Sequence, residues 1–382
     1  MNSLTNSEQR IADSQDERTK RNNLDASSVN ACSVHTSQIL DVQMLDVQIL
    51  DVDSTKQIRE ESVRDLERKS FLQKSFSSKI ENFLPVQGDA GLRSYFRFNS
   101  GARTYILMDC LPSYSSLEPF INIARYLNLQ GFSAPEIFYS DHELGFLVIE
   151  DFGTVNLKNF INKSSNDSVK EIYESMIDLL VLLQSKSLPE GLEVYSNEML
   201  LSELNIFINY YAPYILKRDL NVVEIEEYKS IWQDILNQGG IVNNSLVLRD
   251  YHVENIMYLE NRDGLKKLGL LDFQDAINGS PIYDLVSILE DARTAVPREL
   301  SLFLVGYFAK QKNLDLELVL KNYHILGAQR NSRILGVFVR KLMRDNNADY
   351  LKYLPLVRQY LSQDLSHPVM SPLKTFLNKI SL

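Results

Sequence analysis

The amino-acid sequence predicts an α+β protein, strand-rich in its first part and mainly helical in its second. Stretches between residues 83 and 153 are short, apolar and bounded by Gly- and Asn-containing turns, as paired strands are. From Val169 onward, apolar residues recur three and four positions apart, the period of a helix with one buried face. One strand–turn–strand unit, Leu246 to Leu271, is embedded among those helices. With 382 residues the chain is long enough for two lobes and a sizeable core.

Residues 1 to about 54 read as a disordered tail, dominated by Ser, Asn, Gln, Asp and Glu and almost without aromatics. The tail holds three five-residue copies, Ile39–Gln43, Met44–Gln48 and Ile49–Asp53, too short to stack as a solenoid. They read as a replication-slippage insertion or as a docking peptide. Residues 55 to 82 read as a helix with Val63, Leu66, Phe71 and Ile80 on its apolar face. Residues 83 to 110 read as paired strands, Tyr95–Phe98 and Thr104–Met108, with turns at Gly88–Gly91 and Asn99–Gly101. A helix over residues 116 to 130 is expected to bury Phe120, Ile123, Ala124 and Leu127 and to leave Glu118 solvated.

Further strands are expected from Ser133 to Tyr139 and from Gly145 to Gly153. Val169–Ser185 carries a helical stripe of Ile172, Met176, Leu179, Leu180 and Leu183, and two more helices are expected over Asn197–Tyr211 and Val222–Leu236. Beyond the embedded strands, Asp284 stands before a helix that its carboxylate could cap. Ala328–Arg340 is amphipathic, with Arg330, Arg333 and Arg340 close to one face, an arrangement that is ordinarily a solvated face.

The embedded unit carries the chemistry. It reads Leu246-Val-Leu-Arg-Asp-Tyr-His-Val-Glu-Asn-Ile-Met-Tyr-Leu259, a turn, then Leu268-Gly-Leu-Leu-Asp-Phe-Gln-Asp-Ala276. Asn261 to Gly264 is expected to turn tightly, because Asp-Gly tolerates positive backbone angles. Asn255, before the outgoing strand, and Asp272, after the returning one, then meet at one end. An amide oxygen and a carboxylate are hard ligands of the sort Mg2+ takes while keeping room for water and phosphate. Asp250 is left to accept a proton from a hydroxyl. One Asp for the nucleophile, with an Asn and a second Asp for the metal, is the division of labour of kinase phosphoryl transfer. Asp and Asn in loops are ordinarily turn formers. Here loop, strand, turn, strand and second Asp come in the order this chemistry requires.

On those residues the chain resembles the aminoglycoside phosphotransferase (kinase-like) family. Arg249-Asp250 with Asn255 fits the Arg-Asp-x-x-x-x-Asn catalytic loop, and Asp272-Phe273 fits the metal-binding Asp-Phe dipeptide. Leu248 stands where a His is usual, although His252 is near. Gln274 stands where protein kinases have Gly, which argues for a small-molecule kinase. The resemblance implies a two-lobed protein-kinase-like fold. Its β-rich nucleotide-binding lobe would span residues 75–152, and its mainly helical catalytic and substrate lobe residues 153–382. It implies ATP and Mg2+ as cofactors. Gly88 to Ser94 would form the loop over the phosphates, with Arg93 or Arg97 facing them, and the backbone from Glu150 to Phe152 would face the adenine. Where the family's return strand carries a phosphate-pairing Lys, this chain has Met108, so an Arg is expected to substitute. Asp284 would support the catalytic loop.

Gly88-Asp89-Ala90, Met108-Asp109, Asp272-Phe-Gln-Asp-Ala276 and Gln329-Arg330-Asn331 with Gly336-Val-Phe338 resemble one branch of that family. That branch is the anomeric kinases of N-acetylmuramate and N-acetylglucosamine, which serve cell-wall sugar recycling. The resemblance covers about residues 75 to 365. It implies ATP-dependent phosphorylation of an amino sugar, and it offers Arg330 and Arg333 as a fork for the lactyl carboxylate of N-acetylmuramate.

Composition narrows the partners. The net charge of −10 disfavours nucleic acid and anionic membrane. Cys32 and Cys110 are the only cysteines, so no disulfide framework or zinc cluster is expected and a reducing cytoplasm is the natural compartment. No apolar run approaches a membrane span and no signal peptide is visible. No Walker-type Gly-x-x-x-x-Gly-Lys-Ser/Thr occurs. A monomer is expected. Two other classes stay open: a kinase of another hydroxyl, such as an aminoglycoside or a choline-like alcohol, and a degenerate kinase-like binding module. Met108 and Leu248 motivate the second; Asp250, Asn255 and Asp272 argue against it.

Overall fold

The computed structural model describes residues 61–86, 93–111 and 116–382. The expected turn at Gly88–Gly91 and the repeat at 39–53 lie outside them. The chain divides into two compact units, Met1–Leu66 and Glu67–Leu382. Of the first, residues 61–66 are described and are helical. The second holds everything that follows.

It opens with α1 (residues 67–75), which buries Phe71 and Leu72. The helix expected over 55–82 stops here, and Ile80 begins a strand instead. Ser77 and Ser78 interrupt the helix, and the next segment finds its backbone partners on a neighbouring strand. The elements that follow are β1 (Ile80–Val86), β2 (Arg93–Ser100), β3 (Arg103–Cys110), α2 (Glu118–Leu129), β4 (Ile137–Asp141) and β5 (Phe146–Glu150). The strands form one antiparallel sheet in the order β1-β2-β3-β5-β4. Glu118 stays on the surface, its carboxylate 3.1 Å from the His142 ring.

Alternation divides the sheet into two faces. Phe98, Leu107, Phe146 and Val148 pack with Phe71 and Leu72 of α1. Ile106, Met108, Cys110, Leu147 and Ile149 face the other way and join Phe120, Ile123, Ala124 and Leu127 of α2 in the main core. The β2–β3 register sets Arg93 opposite Cys110, Tyr95 opposite Met108 and Arg97 opposite Ile106. Arg93, Tyr95 and Arg97 therefore share the face of Met108.

The remainder is mainly helical. α3 (Leu157–Ile161) precedes α4 (Asn166–Leu183), which buries Met176, Leu179, Leu180 and Leu183. The single helix expected over Asn197–Tyr211 is instead broken into α5 (Asn197–Glu203) and a π-helical turn, Phe207–Tyr211, which runs into α6 (Ala212–Leu216). α7 (Val222–Gly239) starts at a capping box between Asn221 and Glu224.

Four short strands follow: β6 (Ser245–Val247), β7 (Ile256–Tyr258), β8 (Leu268–Leu270) and β9 (Ile277–Gly279), with β7 paired to β8 and β6 to β9. The expected hairpin is present, but its turn is not a tight Asp-Gly pair. Asp263 keeps φ at −113° and a 3-10 turn, Gly264–Lys267, fills the gap. The Leu259 N–H closes that loop on Lys267 O at 2.8 Å. α8 (Tyr283–Leu289), α9 (Arg298–Gln311), α10 (Leu316–Asp345), α11 (Leu354–Asp364) and α12 (Ser371–Lys379) complete the chain. Among the described residues no helix is long and apolar enough to cross a membrane.

Candidate active site

Asp250 sits in the loop between β6 and β7. Backbone bonds curl that loop: the Asp250 N–H reaches Leu248 O at 2.9 Å, His252 N–H reaches Asp250 O at 3.1 Å and Asn255 N–H reaches His252 O at 2.9 Å. Arg249 has φ +69° and Asp272 φ +56°. The left-handed region costs a non-glycine residue about 1–2 kcal/mol, and such positions concentrate at functional sites. The loop is held from below. Asp284 accepts the Leu248 N–H at 2.6 Å and the Arg249 N–H at 2.9 Å. The Ser287 hydroxyl donates to Arg249 O at 3.1 Å, and Arg330 Nη2 donates to that hydroxyl at 2.9 Å. Asp284 does not cap its own helix, as the sequence suggested. It lies inside α8, whose N-cap Ile282 makes no side-chain bond, and its carboxylate is committed to the loop. Burial pushes that carboxyl up to about 7, against the pull of the two N–H groups and Arg330.

The hairpin does bring Asn255 and Asp272 together. Asn255 Nδ2 donates to Asp250 O at 3.1 Å and to Asp272 Oδ2 at 3.3 Å, and lies 3.2 Å from His252 Nε2. Gln274 Nε2 donates to Asp272 Oδ1 at 2.8 Å. Burial lifts the Asp272 carboxyl above its ordinary value; Gln274 opposes this, Asp250 and Asp275 add to it and Arg93 opposes it. His252 was noted in the sequence only as a neighbour, yet it orients this end. Burial, with Arg293, Arg330 and Lys158, drives its ring well below the ordinary histidine value, so the ring is neutral. A neutral Nε2 can accept from Asn255 and from Arg293 Nη1, 3.3 Å away. The Asn255 amide nitrogen is then turned inward and its oxygen the other way.

These residues fit a divalent cation. Asp250 and Asp275 add like charge to the Asp272 carboxylate, beside the Asn255 amide. Among the described residues no cage of three or more His, Cys, Asp or Glu exists. Mg2+ takes one or two protein carboxylates and leaves its other positions to phosphate and water.

On the sheet side, Met108 is wholly buried in the core. Arg97 is tied to the segment after β5: its guanidinium donates to both Asp151 oxygens, at 2.7 and 2.8 Å, and to Gly153 O at 2.8 Å. Arg93 stands one end further along the same face, and its charge reaches both Tyr95 and Asp272. Asp109 makes a buried ion pair with Arg68 of α1 at 2.6 Å, a role the sequence did not suggest. Glu150 pairs with Arg262 at 2.5 Å, and its N–H is taken by Glu136 O at 2.8 Å. Phe152 packs with Met257, Leu259 and Leu271 to make an apolar shelf. Gly269 runs beneath the Phe152 ring so closely that a Cβ there would lie 2.8 Å from it. Gly88 lies outside the described residues.

The arginines of α10 part company. Arg330 is buried beneath the loop against Ser287, while Arg333 turns to Glu203, 3.5 Å from Nε to the carboxylate. Glu203 also pairs with Arg249 at 2.5 Å. No sequence signal marked it.

A profile of the phosphotransferase enzyme family matches residues 82–316. An N-acetylmuramate/N-acetylglucosamine kinase of Caulobacter vibrioides is 30% identical over 329 residues, spanning 76% of this chain and 90% of its own length. One from Neisseria meningitidis serogroup B is 28% identical over 306 residues, spanning 78% and 89%. Among solved structures, a choline kinase of Streptococcus pneumoniae superposes with a TM-score of 0.55 at 13% identity, covering 79% of this chain and 99% of that one. An aminoglycoside phosphotransferase in complex with GDP and kanamycin reaches 0.56 at 12% identity, with coverage of 79% and 99%. At these identities the solved structures speak for the fold, which is the two-lobed protein-kinase-like α+β fold. By the matched profile and its relatives, the chain belongs to the phosphotransferase enzyme family.

Proposed function

We propose that this protein is an ATP-dependent sugar kinase that phosphorylates the anomeric hydroxyl of N-acetylmuramate and N-acetylglucosamine, in cell-wall sugar recycling. The observation that carries the chemistry is the meeting of Asp250, Asn255 and Asp272 at one end of the β7–β8 hairpin. The names of the relatives support the choice of acceptor.

In this reading Asp250 orients the C1 hydroxyl and accepts its proton as the oxygen attacks the γ-phosphorus and ADP leaves. Asn255 Oδ1 and the Asp272 carboxylate hold Mg2+, whose charge offsets that of the phosphates. Arg93 faces the phosphates and stands in for the Lys that Met108 replaces. Arg97 anchors the sheet to Asp151 and leaves the phosphates to Arg93. The backbone at Glu150 to Phe152 and the Phe152 shelf receive the adenine. Arg333 serves the sugar, and Arg330 supports the loop on which Asp250 sits. We assign the nucleotide lobe to residues 75–152 and the substrate lobe to 153–382, and expect a monomer working in the cytoplasm. Arg249 and Arg333 beside Asp250 disfavour a polycationic aminoglycoside as acceptor, since like charges would meet.

The test is ADP release with Mg2+ and ATP against N-acetylmuramate, N-acetylglucosamine, an aminoglycoside, choline and no acceptor. Turnover is expected with the two amino sugars, giving an acid-labile, alkali-stable phosphate. Asp250→Asn is expected to fold and to lose about two to four powers of ten in kcat. Turnover with choline or the aminoglycoside alone would overturn the choice of acceptor, and full activity of Asp250→Asn would overturn the mechanism.

A further inference from the structure

Glu203 closes α5 where three other segments converge on its carboxylate. Tyr195 Oη donates to it at 2.5 Å and Arg249 Nη2 at 2.5 Å. Gln329 Nε2 lies at 3.4 Å and Arg333 Nε at 3.5 Å. The Arg249 guanidinium also lies over the Tyr195 ring, 5.2 Å from its centroid. Two guanidinium groups thus share one carboxylate, and Asp250 is the next carboxylate whose charge Arg333 feels. The side chains of Arg249, Glu203 and Arg333 are 18%, 18% and 28% exposed, so a solute can reach them. Arg249 Nε and Gln329 Oε1 are buried and make no hydrogen bond among the described residues. The cluster therefore sets two partly exposed guanidiniums against a single shared carboxylate.

Its position ties it to the chemistry. Arg249 precedes Asp250 directly, and Arg333 feels the charges of both Glu203 and Asp250. Arg249 also keeps φ at +69°, where glycine would be unstrained, so a large side chain is retained against a backbone cost. Arg330 is not part of this group, since its guanidinium is buried against Ser287 below the loop.

We propose that Arg249 and Arg333 form the subsite for an anionic substituent of the acceptor, the O3 lactyl carboxylate of N-acetylmuramate. Glu203 is the resident counter-ion that keeps the two guanidiniums placed when the acceptor carries no charge. The assignment rests on the sugar-kinase reading above. The lactyl oxygen leaves the ring two carbons from C1, so its carboxylate points away from Asp250 along the sugar towards neighbouring residues. There the planar donor forks of two guanidiniums that share one carboxylate suit a second. A neutral sugar such as N-acetylglucosamine leaves the Glu203 contacts as they are. One site can then accept both sugars while distinguishing them by charge.

The experiment is the ratio of kcat/KM for N-acetylmuramate to that for N-acetylglucosamine, in the full chain and its variants. Arg333→Gln is expected to lower this ratio by about ten- to a hundredfold, chiefly through KM for N-acetylmuramate, as loss of a charge-assisted contact does. Glu203→Gln removes the internal competitor and is expected to raise the ratio. Arg333→Lys keeps the charge without the fork and is expected to show a smaller fall, a second reading should Arg333→Gln not fold. A ratio within about twofold of wild type in the Arg333 variants, or a fall in Glu203→Gln, overturns the subsite and leaves the kinase reading standing. Wild-type protein idle on both sugars overturns both.

Discussion

The Asp284 carboxylate accepts the amide hydrogen of Arg249 at 2.9 Å, and so one side chain of α8 fixes the backbone that carries Asp250. The Leu248 amide is held by the same carboxylate at 2.6 Å. Asp284→Asn keeps one acceptor and turns an NH2 group against an N–H. A buried donor left unsatisfied costs about 1–3 kcal/mol. The variant is expected to melt a few degrees lower and, because Asp250 is misplaced, to lose about a hundredfold in kcat. Wild-type kcat in a variant of lowered melting temperature would show that the loop does not need this anchor.

The same carboxyl sets a pH dependence with two opposite signs. Burial pushes it up to about 7, above its unfolded value of about 3.9. The folded state therefore holds the extra proton. The resulting stability is fully present below about pH 4 and is lost as pH rises towards 7. Activity runs the other way, since the ionised carboxylate is the better acceptor for two amides. Between pH 5 and 8, kcat is expected to rise while the melting temperature falls. In Asp284→Asn both slopes are expected to flatten. Parallel movement of kcat and melting temperature in the wild type would refute the assignment.

Patterns local to the chain make the paired strands and the helical stripes legible, though not the shape of the turn at Asp263-Gly264. The β7–β8 hairpin and the stripes of α2 and α4 depend on residues close in sequence. Non-local contacts decided the rest. Ile80 fits a helical phase, but β1 takes its structure from pairing with β2. The helix expected over Asn197–Tyr211 breaks beside Ile206, whose carbonyl faces Gly336 of α10. Arg330 and Arg333 lie three apart on one helix, yet α10 is packed on several sides, so a 60° difference in direction sends them to different partners. Glu203 had no signal at all, because a lone Glu at a helix end looks like any solvated residue.

The missing phosphate-pairing Lys makes the two arginines of β2 distinguishable. Arg97 is committed to Asp151, whose side chain is 5% exposed, so Arg97→Ala leaves a buried carboxylate unpaired. Its expected effect is chiefly on stability, by about 1–3 kcal/mol. Arg93 shares the Met108 face and influences Asp272. Arg93→Ala is expected to raise KM for ATP by about tenfold or more, as loss of a charge-assisted phosphate contact does. A larger rise in KM for ATP with Arg97→Ala than with Arg93→Ala would reverse the assignment.

His252 is expected to act through Asn255. His252→Leu keeps comparable bulk but removes the acceptor that turns the Asn255 amide nitrogen inward at 3.2 Å. The amide can then rotate, and its nitrogen is no longer held towards Asp250 O and Asp272 Oδ2. Outer partners of metal ligands typically contribute ten- to a hundredfold in metal affinity, so the half-saturating Mg2+ is expected to rise by about that factor. Saturating Mg2+ should restore much of kcat. An unchanged Mg2+ titration curve would exclude His252 from this role.

Two glycines separate local helix preference from packing. In the interior of a helix Ala is favoured over Gly by about 0.5–1 kcal/mol. Around Gly306 of α9 an added Cβ meets nothing within 4 Å, so Gly306→Ala is expected to raise stability by about that amount. At Gly336 of α10 the added Cβ would lie 2.5 Å from the Ile206 carbonyl oxygen and 2.6 Å from its carbon. Backbone cannot swing aside as a side chain can, so α10 must shift. Overpacking of this kind costs about 1–3 kcal/mol, more than the propensity gain returns. The shift would also carry Arg333, three residues earlier on α10, away from Glu203. Gly336→Ala is therefore expected to lower both the melting temperature and turnover, whereas Gly306→Ala raises the first and leaves the second alone. Equal stability changes in the two variants would mean that α10 is not packed on the Ile206 backbone.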